Sequence, residues 1–306
     1  MSRWRLSLPV RAASVLLAVA AGIGGAVWPA AAQSGDATPS PENLHRLVER
    51  LIANTHRSDV ALGEYERVEH WIERSSQNDP QVRLDKTYRV FPTGTGTLKL
   101  LLKENGAAVA PAAYIHELHD LEYALGQVLQ PELPGQQKRI EKFKSRTAER
   151  YRAVESFRSA YTVTWLGRET RDGRSVEKIH FEPKLDSHEN STGAEILSNS
   201  RITVWLDSDA QPVRLEAELL RDMAFGGGLL GKIYKGGHIT IDQMEVAPGL
   251  WMPRETRYEV KGRKFLFSEE QWRAGEASDY RRVGPPREAL PLVKSELARL
   301  EGHAQS

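Results

Sequence analysis

The stretch YTVTWLGRETRDGRSVEKIHF, Tyr161 to Phe181, leaves a chain few folding choices. Apolar and polar residues alternate, Asp172-Gly173 interrupts, and the alternation resumes. A period of two belongs to a strand with one covered face, and Asp-Gly tolerates the positive φ angles of a tight hairpin turn. The pattern returns in RITVWLD, PVRLEAELL, KIYKGGHITIDQMEV and MPRETRYEVKGRKFLFSEEQW, broken by Asp207 to Gln211, Pro248-Gly249 and Lys261-Gly262. No helical period separates these runs, so they predict an antiparallel meander rather than parallel βαβ units.

The first half mixes the two periods. Ser40 and Pro41 form an N-cap and first-turn pair, and Leu44, Leu47, Val48, Leu51 and Ile52 follow at the spacing of one helical face. Strands are expected over Tyr65 to Glu73, Arg83 to Phe91 and Leu98 to Lys103, with turns at Thr93 to Gly96 and Asn105-Gly106. Between Pro111 and Arg158 the period becomes helical. Ile115, Leu118, Leu121, Leu125 and Val128 mark a helix ending before Pro131, and Ile140, Phe143, Val154 and Phe157 mark a second. A helical hairpin, 111–158, is thus inserted into the sheet. Leu185 to Ser200 is polar and reads as loop, and a last helix carries Leu290, Val293, Leu297 and Leu300.

The N-terminal residues address the compartment. Arg3, Arg5 and Arg11 precede an apolar, uncharged run from Ala12 to Val27 and the small residues Ala30 to Ala32, as in a removable export signal. Residues 1–32 are read as that signal, 33–40 as a disordered leader, and 41–306 as one domain. The run is shorter than the ~20 apolar residues of a spanning helix. The predicted product is periplasmic or secreted, soluble, and without disulfides, since the chain has no cysteine. Cleavage removes three arginines from a near-neutral balance of 42 basic and 41 acidic residues, which argues against a nucleic-acid partner.

Familiar chemistry is hard to place on this chain. FGGGLLGKIYKGG, Phe225 to Gly237, has Gly226, Gly231 and Lys232 at phosphate-loop spacing, but Ile233 stands where the Mg²⁺-binding Ser or Thr is required, and a strand pattern follows. No nucleotide is expected. His116 and His119 lack an HExxH context, and Asp186, His188 and Glu189 lie in a polar stretch, so no metal or other cofactor is expected. GxSxG and a cysteine nucleophile are missing. The reading is of a protein that is not an enzyme, with an unrecognised hydrolase as an alternative.

The remaining signal is apolar. A long, twisted antiparallel sheet curls, and its oily face must be covered by helices or by ligand. Candidate lining residues, chosen for size and strand position, are Trp165, Trp205, Phe225, Trp251, Tyr258, Phe265 and Phe267. Trp205 alternates away from Ile202, Val204 and Leu206, so the seven do not all share one face. Lys138 to Arg158 carries eight basic residues, and Lys142, Arg146 and Arg150 are candidates for docking an envelope protein.

In RITVWLDSDAQPVRLEAEL, GGHITIDQMEVAPGLWMPRETRYEV and RKFLFSEEQW, a strand ends in Asp207 with Pro212 just after it. Two strands later a turn leads through Gly249 and Trp251 to Pro253. With the leading helix, this resembles the LolA-like outer-membrane lipoprotein-sorting family, over Ile202 to Trp272 and more weakly over 41–103. The resemblance implies an α+β fold, a curved antiparallel sheet forming an incomplete β-barrel covered by helices, and an acyl chain, lipid or lipoprotein as cargo. An envelope sensor docking through its basic helix is the alternative.

Overall fold

The computed structural model describes residues 38–184, 192–225, 231–264 and 267–304. The export signal, the Asp186 to Glu189 cluster, Gly226 to Gly228 and Phe265 lie outside them.

Thirteen strands form one sheet, every pair antiparallel. In chain order they are β1 (Tyr65–Arg74), β2 (Leu84–Pro92), β3 (Thr97–Glu104), β4 (Ala107–Ala108), β5 (Tyr161–Arg171), β6 (Arg174–Pro183) and β7 (Ser200–Leu206). The rest are β8 (Pro212–Leu219), β9 (Met223–Phe225), β10 (Gly231–Ile233), β11 (His238–Ala247), β12 (Leu250–Lys264) and β13 (Phe267–Arg282). The order across the sheet is β4-β3-β2-β1-β13-β12-β11-β8-β7-β6-β5, with β10 and β9 added beside β12. The sheet is open, because β4 and β5 end the path without pairing to each other. Its central join, β1 to β13, matches Trp71 with Gly275 and Glu73 with Arg273.

Local chemistry fixes the corners. Asn105-Gly106 and Asp172-Gly173 take φ of 52° and 77°, and 50° and 76°, as an Asn-Gly or Asp-Gly hairpin turn requires. The Ser40 hydroxyl accepts from the Asn43 N–H at 3.2 Å and starts helix α1 (Pro41–Leu62). The other helices are α2 (Pro111–Val128), α3 (Gln136–Glu155), α4 (Phe157–Ala160), α5 (Thr192–Ser198) and α6 (Pro286–Ala304). The second helix expected between Pro111 and Arg158 breaks at Ser156, whose hydroxyl bonds to the Ala153 carbonyl, so Phe157 sits in a separate turn. The stretch read as loop contains α5, which buries Ile196 and Leu197.

The sheet is covered on both faces, in different places. On one face Ile179, Phe181, Ile202, Val204, Leu215, Ala217, Ile239, Ile241 and Tyr258 meet Val48, Leu51 and Ile52 of α1, Val154 of α3, Phe157 of α4 and Leu197 of α5. Each of the α1 residues contributes about 1.5–3 kcal/mol by burial. On β2 the register turns Phe91 to the side opposite Tyr88, where Phe91 and Leu100 form a second core with Leu118, Leu121 and Leu125 of α2 and Val293 and Leu297 of α6. The inserted helices therefore separate: α2 pairs with the last helix across the face that carries Phe91, and α3 lies over the opposite face, which carries the main core. The last helix does not cover the main apolar face.

Charged groups tie the second core to the sheet. Arg89 on β2 donates to Glu66 at 2.7 Å, to both Glu296 oxygens at 2.8 and 3.0 Å, and to the Tyr114 hydroxyl at 2.8 Å. One guanidinium thus joins β1, β2, α2 and α6.

Candidate functional site

The face beneath α1 and α3 changes character across the sheet. Over β5 to β8 and β11 it is apolar and lies beneath α1, α3, α4 and α5. Toward β12, β13, β1 and β2 the cover thins. Leu44, Leu47, Leu84, Tyr88, Val163, Trp165 and Val260 pack against the core yet remain partly exposed. Leu84, Tyr88 and Val260, on β2 and β12, form an apolar rim there; Val163 and Trp165 lie on β5, and Leu44 and Leu47 on α1.

Charge enters beside that rim. Trp71 projects from β1 onto Gly275 of β13, and a Cβ at Gly275 would stand 2.6 Å from its ring carbons. The absent side chain gives the indole a seat. Arg273, two residues along the same strand face, places its guanidinium 4.6 Å from the Trp71 ring centre and donates to the Tyr258 hydroxyl at 3.2 Å. Its buried Nε has no hydrogen-bond partner. Lys99 of β3 reaches within 5.5 Å of the Trp71 ring and 5.4 Å of the Tyr88 ring while pairing with Glu69 at 2.6 Å. Glu69 also accepts from Arg67 at 2.7 Å and from the Trp71 indole N–H at 2.8 Å.

These contacts set protonation. Burial alone would raise the Glu69 carboxyl, but Arg67, Lys99 and the indole N–H outweigh it and hold the group at about 2. Burial raises the Tyr258 phenol, against the opposing pull of Arg273. The cluster therefore keeps one ionised acid between two cations and adds a third cation, Arg273, bound mainly to aromatic groups.

The lid is held from the side. Tyr151 of α3 stacks on His56 of α1 with ring centres 4.5 Å apart, and Arg150 pairs with Asp59 at 3.0 Å. Burial lowers the His56 imidazole, as does Arg158, against Asp59. Arg158 also grips Glu49 at 2.6 Å. Helix α3 buries Gln136, Ala153 and Val154, and most of its length stands in solvent.

The aromatics expected to line the trough are dispersed. Tyr258 belongs to the main core and Trp165 packs against it from β5, where its indole donates to Glu177 at 2.7 Å. Trp205 does not line it: it lies on the opposite side of the sheet, bonded to Glu169 at 2.6 Å with Lys178, Arg171 and Arg214 around its ring. That is the outcome its alternation from Val204 requires. Trp251 is buried outside the main core, beneath Arg174. Phe267 opens β13 with 78% of its surface exposed, on the same strand face as Arg273 and Gly275. Phe225 ends β9. Lys142 and Arg146 are exposed, whereas Arg150 is engaged with Asp59. Lys232 enters strand β10, so no helix amides follow the glycine stretch. His119 bonds to Glu301 at 2.9 Å, and no group of three or more metal-ligating side chains occurs among the described residues.

Trp71, Lys99 and Arg273 were not among the expected site residues. A signal exists in YERVEHWIER, where Arg67, Glu69, Trp71 and Glu73 share one parity and make a charged, aromatic strand face. The partner strand, with Gly275 and Arg273 opposite, is about two hundred residues away and is identified only by the fold.

No protein-family model matches the sequence, and no curated protein matches it. Among solved structures the chain is similar to an outer membrane lipoprotein-sorting protein domain from Vibrio parahaemolyticus, at 12% identity and a TM-score of 0.35, over 78% of this chain and 93% of that one. It is similar to a DUF1329 family protein from Desulfovibrio piger at 10% identity and a TM-score of 0.31, over 79% and 92%. A LolA superfamily protein from Nitrosomonas europaea aligns at 10% identity and a TM-score of 0.30, over 83% and 98%. The likeness to lipoprotein-sorting folds is remote.

Proposed function

We propose that this chain is an exported, non-enzymatic carrier that takes an acyl chain, from a lipid or a lipoprotein, against the sheet face beneath α1 and α3. The observation carrying this reading is the set of partly exposed apolar groups on β2 and β12, Leu84, Tyr88 and Val260, packed against the apolar core of the same sheet face. Helix α3, which buries only Gln136 at its start and Ala153 and Val154 at its end and is otherwise held by the contacts of His56 and Arg150, is the element able to move aside. Native mass spectrometry of the secreted protein, followed by solvent extraction, tests it. Co-purified fatty acid or phospholipid supports the carrier. A clean apo mass, together with failure to bind a fluorescent fatty acid, removes it.

A second reading rests on α3 alone. Lys138, Arg139, Lys142, Lys144 and Arg146 are exposed, and among the described residues none forms an ion pair. They suit an acidic envelope partner. Reversal of Lys142 and Arg146 to Glu is then expected to weaken partner capture at least tenfold while fatty-acid uptake persists. Unchanged capture would dismiss the docking role.

A further inference from the structure

We infer that Arg273, with Lys99 beside the same indole, binds the anionic headgroup of the amphiphile, a carboxylate or phosphate, while its hydrocarbon tail runs over the apolar rim. This rests on the carrier reading and adds the chemical class of the cargo.

Three observations converge. First, Arg273 lies at the border between the two halves of the trough. Tyr258, Val260, Leu84 and Tyr88 pack into or against the apolar core, while Arg67, Glu69 and Lys99 make the ionic cluster. A molecule with an oily tail and a charged end meets both surfaces at that border.

Second, Arg273 is under-used by the protein. A guanidinium presents five N–H donors. Here one bond goes to the Tyr258 hydroxyl, the Trp71 π face takes the planar surface, and the buried Nε has no acceptor. Glu73 stands directly across the β1–β13 pair, yet no ion pair joins the two. A buried donor left empty is costly, and an incoming oxyanion would satisfy it with a charge-assisted bond.

Third, Lys99 supplies a second cation that is not fully consumed. Its ammonium carries three donors, pairs with Glu69, and retains 41% side-chain exposure. Glu69 is shared with Arg67, so the three cations Arg67, Lys99 and Arg273 exceed the two acids Glu69 and Glu73 on this face. Trp71 holds both free-ended cations toward one ring, and Gly275 seats that ring on the sheet.

The experiment compares two probes of one chain length on the secreted protein: the fluorescent cis-parinaric acid and its neutral alcohol. The wild type is expected to bind the acid at least tenfold more tightly, about 1.4 kcal/mol. Arg273→Gln and Lys99→Gln should each reduce that preference to about threefold or less while alcohol affinity stays within about twofold. Arg273→Lys, which keeps the charge, should recover part of it. Acetate and inorganic phosphate at millimolar concentration should not displace the acid, because the headgroup needs its tail. Displacement by either would reassign the site to a free anion and overturn the inference. Equal binding of acid and alcohol by the wild type would overturn the headgroup site and leave the carrier standing. Binding of neither probe would overturn both. Lys99→Gln, on a half-exposed side chain, keeps the test decisive even if Arg273→Gln fails to fold.

Discussion

Gly275→Ala offers a sharp test of how the centre of the sheet is packed. The new methyl would lie 2.6 Å from Cε3 and Cζ3 of Trp71 and 2.7 Å from Cη2, all in the six-membered ring. Non-bonded carbons rest at about 3.5–4.0 Å, so the indole must withdraw by about 1 Å. It has little room, being 8% exposed in the main core, and it is held by the 2.8 Å bond from its N–H to Glu69. Overpacking of this kind costs about 1–3 kcal/mol. In a chain of this size that corresponds to a fall in Tm of roughly 2–10 °C. The mechanism is isolated by Trp71→Phe, which deletes the three crowded carbons. In that background Gly275→Ala should cost no more than about 0.5 kcal/mol, and the difference is the coupling between the sites. Urea unfolding of the four proteins, followed by far-ultraviolet circular dichroism, measures the cycle. An equal cost in both backgrounds would refute the seat assigned to Trp71, as would a negligible cost in the wild type.

Two further outcomes follow from the buried charges. Arg89→Met strands the half-buried Glu296 and leaves Glu66 with Arg281 alone at 2.5 Å, so it should destabilise by about 3–5 kcal/mol; adding Glu296→Leu should restore part of the loss, and a milder single than double variant would contradict the clamp. Glu69 titrates at about 2 in the folded chain against 4.5 unperturbed, so its contribution is complete above 4.5 and disappears as pH falls toward 2; Glu69→Gln should flatten the stability curve in that window, and an unchanged slope would show that the carboxyl is not held by Arg67 and Lys99.

Much of the fold was legible because its signals are local. The Ser40 cap, the Asn-Gly and Asp-Gly turns and the alternation of Tyr161 to Phe181 each act within a few residues, and each appears where the sequence places it. The open antiparallel sheet followed from those parts. Strand β13 runs on to Arg282, past the expected end at Trp272, because Arg273 to Arg282 lacks apolar alternation and is held instead by β1 and β12. The division of α2 from α3 between two faces also depends on which strand side each apolar stripe meets, a tertiary fact. The site was least legible. Size and strand position selected Trp205, which lies on the other face, while Trp71 needed a glycine from a distant strand to become a platform.

The join of β1 to β13 has a consequence for biogenesis. During synthesis β1 and β2 emerge early, but the strand completing the middle of the sheet ends only at Arg282, a few residues before α6. A nascent chain therefore has no finished central sheet until Arg282 has been made, and contacts of such long sequence separation form slowly. Until then the β1 edge that awaits β13 is bare, an invitation to wrong strand pairing. The same delay keeps the unfinished polypeptide extended, so one topological choice both postpones the core and lengthens the time in which a holding chaperone would be needed.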